Sequence, residues 1–403
     1  MRDAIERLKL YQTDNLILLV GTNPLPNYVA ARLLLKPNGK IHLVCSNDTE
    51  SIAGRLEKQF VRDGLQYERR PVVDESKPRD IYNAIHSIIP TMQGSVGLHY
   101  TGGTKAMSVH AHRALKDTRQ DAICSYLDAH DLKMVVDGGM GDGRDAEIPV
   151  RNAVTPKIQE VIELHEIILA KPPKQQPILP DVAKAIKTVM DRGNEWREWT
   201  QTNLRRPDNK TKFVSEGQLK KLTVPSSNPA FSDICSVFAN RGATDTSLEA
   251  WASASGVFDP RKDMEDFAKW LEGEWLESFV LDCLLQITAE CRSHDCAMDF
   301  QSSSGKFQFD VAAMCGYQLF AISCTTSNNK DLCKHKLFEA YVRAKQMGGD
   351  EARVALVSYH KDPQTLLTNF LNEWKYSKSS VRVFGKDDLT DLPKNLRDWI
   401  ESN

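Results

Sequence analysis

Two groups of residues in this sequence have the types and spacing to handle phosphate esters. The first is Thr101-Gly102-Gly103-Thr104-Lys105, set between the apolar run 95–100 and a helical pattern that continues through 115. Paired glycines let a backbone approach a ligand closely, and the start of a helix offers free N–H groups to an anion. The two threonine hydroxyls add donors, and the Lys105 ammonium is a compact charge suited to phosphate. The loop is neither a Walker A sequence nor a dinucleotide G-x-G-x-x-G fingerprint. Thr22-Asn23 and Ser46-Asn47 end two earlier apolar runs and could hydrogen-bond a ribose or a base edge. Either loop alone is equally well explained as turn chemistry. Convergence of all three at strand ends, where open α/β sheets bind ligands, points to a site.

The second group is acidic. Glu277 stands at the margin of an apolar stripe (Leu276, Phe279, Val280, Cys283, Leu284, Ile287) with helical spacing. Asp310 interrupts the strand-like run FQFDVAA (307–313). An aspartate inside a strand is disfavoured and costly to bury unpaired. A hard cation near a scissile phosphate would give both carboxylates a purpose. The plain alternative for Asp310 is a turn cap at a strand end. Two other features carry no chemistry: Gly138-Gly-Met-Gly-Asp-Gly143 reads as a flexible turn, and Cys291-Arg-Ser-His-Asp-Cys296 lacks the usual zinc spacing.

These groups need elements to position them. Residues 1–150 alternate strands (15–20, 40–45, 67–73, 95–100) with helices (28–35, 51–63, 79–89, 105–115) and close in a hairpin (122–128, 132–137). That alternation predicts a Rossmann-like parallel sheet with crossover helices. Residues 151–262 read as a helical connecting module, with helices over 156–169, 181–202 and 245–254. Within it, 212–224 is compatible with part of a winged helix. Residues 263–403 predict a long helix over 263–289 and strands 298–301, 306–314 and 318–325. A helix 331–347, strand 352–358, helix 363–374 and strand 381–384 follow, an order that suits a mixed-sheet α/β domain.

Composition narrows the class. The 403 residues carry 52 Lys+Arg against 54 Asp+Glu, a net charge of -2, so nucleic acid would have to be met by a local patch. Hydrophobic residues at 41% and charged residues at 26% exclude a disordered chain and a disulfide miniature. No apolar run approaches the ~20 residues of a membrane span, so no membrane partner is expected. The first residues lack the apolar core of a secretory signal. The 9 cysteines are odd in number and scattered singly, which suits a reducing cytoplasm.

LHYTGGTKAMSVHA (98–111), with GTNP (21–24) after the first strand, resembles the CARF domains of type III CRISPR systems. Those are Rossmann-like sensors that dimerise and bind a cyclic oligoadenylate across the two-fold axis. The resemblance covers about residues 1–150. It implies a homodimer in which Thr101, Gly102, Gly103, Thr104 and Lys105 contact ring phosphates and riboses. Thr22, Asn23, Ser46 and Asn47 would line the adenosine pockets, with cyclic tetra-adenylate as activator.

Residues 263–403 resemble the PD-(D/E)xK, restriction-endonuclease-like domain that certain CARF proteins carry. The order of Trp275-Leu-Glu277, Asp310, LFAISCTT (319–326) and KHKLFEA (334–340) carries this resemblance. It implies Glu277 and Asp310 as ligands of Mg²⁺ or Mn²⁺. The family's E-x-K falls on Ser323-Cys324-Thr325, so the second carboxylate and the lysine are missing from the strand. In one explanation they have migrated to the next helix, among Lys330, Lys334, Lys336 and Glu339, where Lys336 and Glu339 share a face. Ser323 and Thr325 would then give hydroxyls to the metal's water shell or the substrate. The expected function is a cytoplasmic, cyclic-oligoadenylate-activated endonuclease cutting single-stranded RNA or DNA in antiviral defence. In the other explanation the site has decayed, leaving a catalytically silent, ligand-gated binding or regulatory protein.

Overall fold

A computed structural model describes residues 2–70, 74–140, 143–289, 291, 293–304, 308–374 and 380–403. Among these residues, seven strands form the first sheet: β1 (Thr13–Leu19), β2 (Leu35–Val44), β3 (Gln66–Arg69), β4 (Val96–His99), β5 (Ile123–Asp128), β6 (Lys133–Met140) and β7 (Arg144–Pro149). Their order is β3-β2-β1-β4-β5-β6-β7. β1 to β5 run parallel, as the alternation of strands and helices predicts. Helices cover both faces, so β1 is a nearly continuous buried run. The chain moves outward from β1 through β2 to β3, then returns to the other side of β1 as β4. The strand order therefore reverses between β1 and β4, the switch point at whose carboxyl-end crevice open α/β sheets bind ligands.

The far edge departs from expectation. Gly138 to Met140 belong to β6, and the chain comes back antiparallel as β7 instead of ending in a loose turn. Positions 141 and 142 of that turn, and 71–73 of the expected third strand, lie outside the described residues. β7 buries only Ala146 and Ile148, on alternate positions, which is too short a pattern to read as a strand.

Between the sheets the expected helix over 156–169 is the shorter Ile158–Leu164, and that over 181–202 breaks at Gly193 into Pro180–Arg192 and Glu195–Asn203. Helix Glu216–Lys221 is flanked by isolated bridges, Arg205 with Phe213 and Thr223 with Ser247. Helices Ser232–Asn240 and Leu248–Ser255 follow. The region is not a detached linker. Trp196, Phe238 and Trp251 share one hydrophobic core with Phe279, Val311 and Phe320 of the segments that follow.

The second sheet contains β8 (Ser293–Gln301), β9 (Gln308–Cys315), β10 (Gln318–Thr325), β11 (Arg353–Ser358) and β12 (Val381–Phe384), in the order β12-β11-β10-β9-β8. β8, β9 and β10 form an antiparallel meander, and β10, β11 and β12 run parallel. Positions 306 and 307 of the expected second strand lie outside the described residues. The expected long helix is in three pieces: Met264–Lys269, a π-helical turn Trp270–Glu274, and Trp275–Gln286. One face of the sheet (Val311, Ala313, Phe320, Ile322) packs on the helical region. The other (Ala312, Met314, Leu319, Ala321) packs with Leu337, Ala340 and Ala344 of helix Lys330–Gly348. That second core continues into the first sheet through Val29, Leu56 and Val161. Among the described residues no helix is long and apolar enough to cross a membrane.

The crevice loop depends on a backbone approach that only glycine permits. A Cβ on Gly102 would overlap the carbonyl oxygen of Leu19 and lie 2.9 Å from the Gly21 nitrogen. Gly102→Ala is expected to cost about 1–3 kcal/mol through forced displacement of β1 from the loop. A lowered urea midpoint with an unchanged slope measures it.

Candidate functional site

The antiparallel register pairs Ile322 of β10 with Val311 of β9, which sets Ser323 beside Asp310. The Ser323 hydroxyl donates to Asp310 Oδ2 at 2.8 Å, and the Cys324 amide donates to the same oxygen at 2.7 Å. Asp310 is therefore fixed inside the sheet by its neighbour strand and caps no turn. Glu277 enters from the first turn of Trp275–Gln286, directly after the π-helical turn, a device common at functional sites. Both carboxylates line a cavity of about 150 Å³ with Ser323, Lys336, Glu339 and Arg343.

Electrostatics in this cavity favour a cation. Burial, then the charge of Asp310, then Glu274 and Asp299, hold the Glu277 carboxyl well above its usual range, and Lys336 opposes them. Burial also raises Asp310, against the pull of Lys336 and the Cys324 and Ser323 donors. Glu277 accepts no hydrogen bond from the described residues. Two repelling carboxylates, one without a donor, fit the oxygen ligand set of a hard divalent cation.

Helix Lys330–Gly348 brings three charged side chains to the cavity. Lys336, Glu339 and Arg343 follow at spacings of three and four, so they present one face to the cavity. Lys334 faces elsewhere: two residues from Lys336 is roughly 200° around the helix. Its ammonium pairs with Glu373 at 2.6 Å, on helix Pro363–Trp374, and it is not part of the cavity lining. Thr325 is also outside the cavity lining, its hydroxyl oxygen accepting from the Ser327 amide at 3.2 Å past the end of β10. Arg343 and Gln308 line the cavity and were not anticipated. Continuing the helical spacing beyond Glu339 would have found Arg343.

The other candidate residues surround the β1/β4 crevice. Gly103 has φ +76, and a Cβ on Gly21 would lie 2.7 Å from its nitrogen, so the two loops touch through backbone. Thr104 caps the helix Lys105–Thr118 by accepting from the Met107 amide at 3.2 Å. Thr101 accepts from the Leu127 amide at 2.5 Å. Both hydroxyls thus shape the loop while keeping a proton to donate. Lys105 is exposed and makes no ion pair with the described residues. Thr22 and Asn47 are exposed, whereas Ser46 is buried and tied to Thr49, its amide donating to Thr49 Oγ1 at 3.0 Å.

Asn23 faces the second sheet. Its Nδ2 donates to Glu351 Oε2 at 2.8 Å, and its Oδ1 lies 3.2 Å from His165 Nε2. The contact is tight: Gly349 has φ +67, and a Cβ there would lie 2.5 Å from the Asn23 amide group. Glu351 is fully buried, just past the end of helix Lys330–Gly348. Burial pushes its carboxyl up to about 7, against the Asn23 hydrogen bond.

A Rossmann-like sheet with an anion-suited edge, continued into a mixed sheet with an acidic cavity, defines a CARF-type fold joined to a nuclease-type fold. Residues 264–403 match the family model described as the Card1-like endonuclease domain. The chain superposes on protein VC1899 from Vibrio cholerae with a TM-score of 0.67 at 14% identity, covering 96% of this chain and 98% of that one. It superposes on Can2 from Sulfobacillus thermosulfidooxidans, in complex with cyclic tetra-adenylate, with a TM-score of 0.66 at 15% identity, covering 96% and 99%. A type III CRISPR defence DNA nuclease activated by cyclic oligoadenylate gives 0.52 at 16% identity, covering 86% of this chain and 45% of that one. These superpositions are likenesses of fold. No curated protein matches the chain.

The buried Glu351 makes stability depend on pH. Its folded value of about 7, above the ordinary 4.5, means the native state holds the proton more tightly. The cost is absent below the unfolded value, grows as pH rises, and is complete above about 7, at roughly 3 kcal/mol. Glu351→Gln keeps an acceptor for Asn23 and removes this cost. Urea titrations should find the variant more stable than the parent at about pH 8, the gap closing toward about pH 4.

Proposed function

We propose that the chain is a nuclease activated by a cyclic oligoadenylate, cutting single-stranded RNA or DNA with a divalent cation held by Glu277 and Asp310. The observation that carries this reading is the meeting of those two repelling carboxylates with Lys336 in one small cavity. The match of residues 264–403 to an endonuclease model supports it. Its units are a sensor, 1–150, a helical connection, 151–262, and a nuclease, 263–403, working as a cytoplasmic homodimer in type III CRISPR defence.

Each side chain has a task in this scheme. Asp310 is held in one orientation by Ser323 and the Cys324 amide. Glu277, with no donor among the described residues, keeps its oxygens for the cation. Glu339 supplies the carboxylate absent from β10, and Lys336 neutralises charge developing on the phosphate. Arg343 is placed to grip a substrate phosphate. A bound Mg²⁺ or Mn²⁺ would supply polarisation of the phosphate and an activated water.

The activator fits the β1/β4 crevice, where close backbone, the start of helix Lys105–Thr118 and the Lys105 ammonium suit a ring of phosphates. Cyclic tetra-adenylate, as bound by Can2, is the ligand of choice. Occupancy reaches the cavity along helix Lys330–Gly348, whose Lys336 lies roughly 20 Å from the Gly349 end that meets Asn23. A ligand moves that helix only by binding one arrangement more tightly than the other. The silent regulatory reading has one observation in its favour, the Ser323-Cys324-Thr325 segment in place of E-x-K.

Labelled single-stranded RNA and DNA, incubated with the chain, cyclic tetra-adenylate and Mn²⁺, test this. Cleavage should need both additions, and Asp310→Ala or Lys336→Ala should slow it by about 100-fold or more. Undiminished cutting by Asp310→Ala would refute the site. Mn²⁺ alone should raise the unfolding midpoint of the parent and leave that of Asp310→Asn unmoved. Glu351→Ala should bind the activator normally by calorimetry yet lose about 10-fold or more of the stimulation.

A further inference from the structure

We propose that the first sheet holds a zinc site, separate from the nuclease cavity, made by His112, Cys124 and Asp137. The three residues come from three elements: helix Lys105–Thr118, β5 and β6. The register that pairs Ser125 with Val136 sets Cys124 beside Asp137. Helix Lys105–Thr118 lies over Cys124, sharing its core through Ala111 and Leu115. One ligand atom from each residue lies within 4.8 Å of the other two.

The ligand atoms converge without satisfying one another. His112 Nε2 stands 3.8 Å from Asp137 Oδ2, too far for a hydrogen bond. Ligands on tetrahedral zinc bonds of about 2.0–2.3 Å sit roughly 3.3–3.8 Å apart, so the His112–Asp137 pair stands at the upper end of that range. Neither the His112 ring nor the Cys124 thiol takes a hydrogen bond from the described residues. Asp137 uses only its other oxygen, Oδ1, which accepts from the Tyr100 hydroxyl at 2.8 Å. A carboxylate ligand fixed through its second oxygen is the usual outer support of a metal site. The Tyr100 ring also meets the His112 ring edge-on, with centroids 6.4 Å apart, which limits the imidazole's rotation.

Nitrogen, sulfur and oxygen donors together suit zinc better than Mg²⁺ or Mn²⁺, which take oxygen. Cys124 is buried while His112 and Asp137 are half-exposed, so the site is closed inward and open outward for a fourth ligand, a water. Burial pushes the Cys124 thiol up to about 11. Zinc binding therefore forms a Zn–S bond, breaks the S–H bond, and releases that proton to solvent. Because Tyr100 directly precedes Thr101, the ion would tie the last residue before the crevice loop to β6.

Cobalt(II) distinguishes this site from the nuclease cavity, because thiolate ligation gives a near-ultraviolet charge-transfer band. Full-length chain loaded with Co²⁺ should show that band with tetrahedral visible absorption, and loaded with Zn²⁺ should retain one ion per chain after desalting. Asp310→Asn should keep both signals. Cys124→Ser should lose the band, and His112→Ala, at a half-exposed position that folding tolerates, should weaken zinc retention about 10-fold or more. A missing band in the parent, or one that survives Cys124→Ser, overturns the site and leaves a Tyr100–Asp137 hydrogen bond with a bystander histidine.

Discussion

Glu277 and Asp310 face one buried cavity of about 150 Å³, where the charge of Asp310 opposes ionisation of Glu277, and the surrounding structure holds them there. In water neither carboxylate would resist ionisation; burial raises both, and the charge of Asp310 raises Glu277 further. The β9–β10 register supplies two donors to Asp310, and the π-helical turn sets the start of the helix that carries Glu277. Buried like charges are destabilising unless paired, so such an arrangement persists where function requires it. The opposing charge comes from Lys336, on an element that the strand motif of the resembled family does not use.

Lys336 and Glu339 line the acidic cavity from helix Lys330–Gly348 and not from β10. Groups on a strand are fixed by sheet hydrogen bonds. These sit on a rod that packs against the second sheet and ends in contact with the loop after β1. The Asn23–Glu351 bond is partly buried, short and backed by a glycine with no space for a side chain. It is the kind of contact that has two states, made or broken.

Much of this architecture was legible in the sequence. The strand–helix alternation gave the parallel sheet, and the order of elements after 290 gave the mixed one, because period and length are local properties. Glu277 and Asp310 stood out because charge in an apolar pattern is locally anomalous. The surroundings of Lys334 and Asn23 were hidden for a different reason. Two lysines two residues apart face opposite ways, and only packing decides which one meets the cavity. Asn23 sits in a loop with ligand-binding chemistry, and its partner lies 328 positions away. β7 was hidden because an edge strand with two buried side chains leaves too faint an alternation. His112, Cys124 and Asp137 come together only through tertiary register, which no spacing rule encodes.

The continuity of the cores carries a consequence for how this chain can be divided. Helices from Pro180 onward complete the apolar face of the second sheet, and the opposite face of that sheet merges with the helical layer of the first. Cutting before residue 264, where the endonuclease match begins, would strip Trp196, Phe238 and Trp251 from their partners and expose an oily wall. A fragment excised there would be a sticky species prone to aggregate.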